Sequence, residues 1–139
     1  MTIKQLSIFI ENKGGTLISV LDLLSKGGIQ IIASTVADTQ DYGIYRVICD
    51  KPTPAFLMLK EAGINVQLTD VIALSIDDTP GQAANAINEL SKAGVSILYM
   101  YSFLLKGKGV LILRANPADN ALETIAIKKL SYLTEVDFV

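Results

Sequence analysis

The chain of 139 residues contains no histidine. That removes the commonest general base and the commonest metal ligand. Neither a Ser-His-Asp nor a Cys-His nucleophile can be assembled, and Cys-His zinc patterns are excluded with them. There is one cysteine, Cys49, so no internal disulfide can form. It ends an apolar stretch, as a buried, inert thiol would. A lone thiol fits a reducing compartment. No apolar run approaches the ~20 residues a membrane span needs. Glu11 and Asn12 interrupt the first apolar stretch too early for a signal peptide. The expectation is a cytoplasmic protein with no membrane partner. The net charge is −2, with acids and bases mixed, which offers no basic face to a nucleic acid. No GxxxxGK[ST] phosphate loop occurs. "KGKG" at 106–109 has no helix after it and reads as a hairpin turn. Asp38, Asp41, Asp77 and Asp78 fall in turn sequences, where aspartates usually serve backbone hydrogen bonds. No catalytic residue, metal site or cofactor is expected.

What the chain does contain is a repeat. "SKGGIQII" from Ser25 returns as "SKAGVSIL" from Ser91, a spacing of 66 residues. At the same spacing Ile10 falls on Ile76, Gly15 on Gly81, Leu24 on Leu90, Gly28 on Gly94 and Gly43 on Gly109. No insertion is needed. A solenoid would need more copies, so two copies indicate a duplicated small domain, 1–69 and 70–139.

Each copy reads alike. "LSIFI" alternates as a strand does. "NKGG" is a turn, and Leu17, Val20, Leu21 and Leu24 then follow at helical spacing until Gly27 and Gly28. "IQIIASTVA" and "IYRVIC" form a hairpin across "DTQDYG". "PTPAFLMLKEAG" is a helix that starts on proline and ends on glycine, and "INVQL" is a last strand. In the second copy the spacing predicts strands at 71–76, 95–105 and 110–115. It predicts helices at 81–93 and 117–127, the latter capped by Asn116, and a final strand over 130–138. The order is the ferredoxin-like βαββαβ, an α+β fold with an antiparallel sheet and helices on one face. "VQLTDVIALSI" joins the copies with no proline, glycine or serine run, so the two units are expected side by side without a flexible linker.

The informative stretches are the two strand-to-helix turns, "ENKGGTL" and "DDTPGQA". A helix N-terminus carries unpaired N–H groups and partial positive charge, so it favours a carboxylate. Gly15 and Gly81 lack a Cβ and let a ligand approach the backbone. Asn12 and Asp78 could hold an ammonium group. They also suit plain helix caps, worth ~1 kcal/mol each, and the residues alone leave both readings open.

"DTPG" (Asp78 to Gly81) after a strand, followed by a helix ending "SKAGVSI", resembles an ACT domain. The first copy, "NKGGTLISVLDLLSKGGIQI", resembles the same pattern, with Gly14 where the family usually has proline. The resemblance covers essentially the whole chain, twice. It implies a non-catalytic regulatory protein that binds an amino-acid effector at domain interfaces, a homodimer or larger assembly, acting on a separate metabolic enzyme. It implicates Asn12, Lys13, Gly14, Gly15, Thr16 and Leu17 with Asp78, Thr79, Pro80, Gly81, Gln82 and Ala83. From the second strands it adds Gln30, Ile31 and Ile32, and Ser96, Ile97 and Leu98. Across one strand face Ala33, Thr35 and Ala37 correspond to Tyr99, Tyr101 and Phe103. The two copies are therefore expected to offer unequal sites, unless the aromatics are simply packing. An accessory subunit of an amino-acid biosynthetic enzyme, such as acetolactate synthase, is the alternative. RNA binding would need aromatic central strands and a basic surface, which this chain lacks.

Overall fold

The computed structural model describes residues 1–11, 15–38, 42–77 and 79–139. The chain divides into two compact units. The first comprises Lys4–Thr69 with Phe138–Val139, and the second Asp70–Asp137 with Met1–Ile3. The division falls inside one uninterrupted strand, Val66–Ile76.

In the first unit, β1 (Thr2–Glu11), α1 (Thr16–Lys26), β2 (Ile31–Asp38), β3 (Tyr42–Cys49), α2 (Pro52–Glu61) and the beginning of β4 (Val66–Ile76) follow in order. β3 lies between β1 and β2 and is antiparallel to both. Alternation decides the faces: Leu6, Ile8 and Ile10 of β1 meet Tyr45, Val47 and Cys49 of β3 on one side. Val20 and Leu24 of α1, with Ala55 and Leu59 of α2, close that side into a core. Cys49 is buried there. The opposite face of β1 carries buried polar groups: Gln5 donates to Ser7 at 3.1 Å, and the Ser7 and Thr69 hydroxyls lie 2.8 Å apart.

The second unit uses the rest of β4, α3 (Gln82–Lys92), β5 (Ser96–Leu105), β6 (Lys108–Asn116) and α4 (Ala118–Ile127). β6 pairs antiparallel with β4 and β5. Its core repeats the first: Ile72, Leu74, Leu111 and Leu113 against Leu90 and Ile125. Both units thus carry their two helices on one sheet face, as the ferredoxin-like order requires.

Two expectations are corrected. The final strand predicted over 130–138 is reduced to an isolated bridge, Leu74 to Tyr132, flanked by hydrogen bonds from Ser75 N–H to Ser131 O and from Leu133 N–H to Ala73 O. A 3₁₀ turn, Glu135–Phe138, takes its place. The reason lies in "TEVD": the Asp137 carboxylate accepts from Thr134 N–H at 2.7 Å, and Asp137 N–H donates back to Thr134 O. That local ring resembles a capping box and curls the chain out of extension. The N-cap of α4 is Pro117, not Asn116, which ends β6.

Among the described residues, all four α-helices end in the same motif. In α1, Ile29 N–H reaches Leu24 O and Gly28 N–H reaches Ser25 O. In α2, α3 and α4 the same pair of bonds is made from Ile64 and Gly63, Val95 and Gly94, and Leu130 and Lys129. This motif places its penultimate residue in the left-handed region. Three of those residues are glycines, at φ 70°, 81° and 81°; the fourth is Lys129, at φ 53°.

Candidate functional site

α1 and α3 both begin on a left-handed glycine. Gly15 has φ 97° and Gly81 has φ 92°. A Cβ at either position would meet nothing within 4 Å, so the space beside both turns is open. Gly15 O accepts the Ser19 N–H and hydroxyl, and Gly81 O accepts the Asn85 N–H. Among the described residues, none accepts a hydrogen bond from the N–H groups of Thr16, Leu17, Ile18, Ala83 or Ala84. Gln82 N–H makes one long bond, 3.4 Å, to Thr79 O. Asn12, Lys13, Gly14 and Asp78 lie outside the described residues.

The first unit has an open cleft of about 530 Å³ at this end of its sheet, where Thr16 begins α1. The other walls are Phe9, Ile10 and Glu11 from the end of β1, Tyr42 from the start of β3, and the turn Gly63–Asn65. Register explains the notch. Phe9 N–H bonds Asn65 O at 2.9 Å, just before β4 begins at Val66. The last residues of β1 therefore outrun β4. The Phe9 and Tyr42 rings stand 6.2 Å apart, tilted by 50°.

The second unit has a smaller cleft, about 230 Å³, in the repeat-equivalent place. Ser75, Ile76, Asp77 and Gln82 stand for Phe9, Ile10, Glu11 and Thr16. Lys129, Leu130 and Ser131 stand for Gly63, Ile64 and Asn65. Even the anchoring bond recurs, from Ser75 N–H to Ser131 O at 2.9 Å. The Tyr42 equivalent, Lys108, is not part of the wall, whereas Glu89 is.

The other sequence-predicted residues fall elsewhere. Leu17 and Ala83 pack against the two cores, and Thr79 and Pro80 are exposed. Gln30 and Ile31 line a separate cleft of about 450 Å³ with Leu21, Leu24 and Gly28. Gln30 is pinned there, since its N–H donates to Asp50 Oδ1 and its C=O accepts from Asp50 N–H. Ile32 and Leu98 are the extra residues of two matching β-bulges, between Ile31 and Ala33 and between Ile97 and Tyr99. A bulge bends its strand and re-aims side chains. Ser96 and Leu98 are exposed, while Ile97 packs against the second core. Within the first unit the helix start and the bulged strand thus line different clefts. Sequence reasoning missed Phe9, Tyr42 and the turn Gly63–Asn65. The available signal was the repeat itself, because the helix-to-strand turn recurs at the same spacing as the helix start.

A family model described as an ACT domain pair matches residues 1–139. The chain is an ACT domain pair. A protein from Bacteroides thetaiotaomicron, known from its crystal structure, is 38% identical to this pair, with a TM-score of 0.92 over 99% of this chain and 96% of that one. The regulatory subunit of aspartate kinase from Thermus thermophilus, in ligand-free form, shares the fold at a TM-score of 0.59 and 18% identity, over 89% and 91% of the chains. Its counterpart from Thermus flavus gives 0.56 and 16%, over 89% and 90%. A search of curated protein sequences returned no match to the pair. Among the described residues of this ACT domain pair, no group of three or more acidic or cysteine side chains could hold a metal ion, and no helix is long and apolar enough to cross a membrane.

Proposed function

We propose that this ACT domain pair is a non-catalytic regulatory protein that binds an amino acid and controls a separate metabolic enzyme in the cytoplasm. The observation that carries the reading is the duplicated helix start. Twice the chain turns through a left-handed glycine, leaves open space beside it, and begins a helix whose first-turn N–H groups, apart from one long bond from Gln82 to Thr79 O, find no acceptor among the described residues. Such an end attracts a carboxylate. Asn12 and Asp78 precede the two glycines in the sequence and supply oxygen acceptors for an α-ammonium group. The regulatory role draws support from the two aspartate kinase regulatory subunits of the same fold. In this reading the protein works as a homodimer or larger assembly, and the ligand favours one arrangement of the assembly over another. The bulged second strands, around Ile32 and Leu98, are the elements that a second copy would bring to the site.

A thermal-shift screen of the twenty amino acids tests the proposal. Affinity in the µM to mM range is expected, about −4 to −8 kcal/mol. At ~100 Kd the bound amino acid adds ~2.7 kcal/mol of stability. No shift with any amino acid at 10 mM would end the reading. An accessory-subunit role remains the second reading, and a pull-down from cell extract that recovers an amino-acid biosynthetic enzyme in a stable complex would favour it.

A further inference from the structure

The two repeat-equivalent clefts share a backbone plan and differ in chemistry. This inference rests on the amino-acid-binding reading and names the side chain that is bound. In the first unit the walls are two aromatic rings, Phe9 and Tyr42, with Ile10 and Ile64, and among the described residues no cation lines them. In the second unit serine replaces Phe9, and Asp77, Glu89 and Lys129 bring charge of both signs. The volumes differ in the same sense. Small-molecule sites run from about 300 to 1,000 Å³. The first cleft, at about 530 Å³, falls in that range, and the second, at about 230 Å³, falls below it.

We infer that the first unit's cleft is a single site per chain for an amino acid with an aromatic or large aliphatic side chain, and that its repeat-equivalent is not a site. The charges are complementary to a zwitterion with an apolar body. Thr16 places the positive end of α1 at the wall, facing a carboxylate. Glu11 supplies an anion at the same wall for the ammonium group. The ligand side chain then lies against Phe9 and Tyr42, where a tilted pair leaves ring surface for a third apolar group. A polar or charged side chain would lose its water against these walls without gaining a partner. In the second unit an apolar ligand would instead strip water from Asp77, Glu89 and Lys129, at a cost that an apolar contact does not offset.

Isothermal titration of the full chain with L-phenylalanine, L-leucine, L-serine and L-aspartate tests the inference. The expected result is one equivalent of L-phenylalanine or L-leucine per chain, with L-serine and L-aspartate at least tenfold weaker. Tyr42→Lys and Phe9→Ser install the residues that the second copy carries, and each should weaken binding at least tenfold. Tyr42 is 43% exposed, so its replacement should lower the ligand-free melting temperature by only a few degrees, and that temperature, measured beside the titration, separates loss of binding from loss of fold. Two equal sites per chain, equal affinity for L-serine or L-aspartate, or full binding by Tyr42→Lys would overturn the inference while leaving amino-acid sensing intact. Failure of all twenty amino acids to bind would remove both.

Discussion

The four helix ends provide an internal experiment on backbone strain. Each of Gly28, Gly63, Gly94 and Lys129 occupies the left-handed position of the same terminating motif, with the same pair of hydrogen bonds. Only Lys129 has a Cβ there. An L-residue in that region costs about 1–2 kcal/mol, because Cβ crowds the following carbonyl oxygen. Replacing Lys129 with glycine removes the crowding but returns about 0.4–1 kcal/mol of chain freedom to the unfolded state. Lys129 is exposed, so its side chain contributes little burial. The net expectation for Lys129→Gly is a gain of about 0.5 kcal/mol. Gly63→Lys, at the repeat-equivalent turn, should lose about as much. Nothing lies within 4 Å of the position a Cβ would take at Gly63, so backbone strain alone sets that cost. Urea unfolding of the two single variants and the double variant measures both effects. The midpoints should move in opposite directions at constant slope, and the double variant should return close to wild type. Shifts of the same sign in both single variants, or a loss above about 1 kcal/mol for Lys129→Gly, would refute the strain argument.

Three further outcomes follow from the packing. Leu59→Ala and its repeat-equivalent Ile125→Ala each empty a fully buried position and should cost about 2–5 kcal/mol in chemical denaturation. Gly27→Ala would drive its new methyl into Met58, whereas the second copy carries Ala93 opposite the shorter Thr124. That contact is the far end of a flexible thioether, which can swing aside, so Gly27→Ala should change stability by less than about 1 kcal/mol, and any loss should be relieved by Met58→Thr in a double-mutant cycle. Thr69→Val removes the 2.8 Å contact with the Ser7 hydroxyl and should cost about 1 kcal/mol, seen as a lowered melting temperature.

Where sequence and structure part company, the reason is physical in each case. The periodicity predicts a strand over 130–138, and pairing with β4 does reach Tyr132. The ring between Thr134 and Asp137 then wins locally over an extended path whose ladder is already down to one bridge. Asn116 has the side chain of a helix cap, yet β6 claims it and Pro117 takes the N-cap place. The site shows the same limit. Gly15 and Gly81 announce their turns in sequence because only glycine takes φ near 95° without strain. Phe9 and Tyr42 give no such signal. They read as ordinary strand residues until the register of β1 on β3 sets their rings together at the edge where β4 has not yet begun.

The linear chain by itself determined the duplication, the order of elements as far as α4 and the residues that end the helices. All of these rest on interactions between neighbours a few positions apart, which composition and spacing record. The tertiary structure alone decided that one repeat has a roomy aromatic cleft and the other a narrow charged one. A cleft is the space left between segments distant in the chain, and its size depends on how those segments stop short of one another.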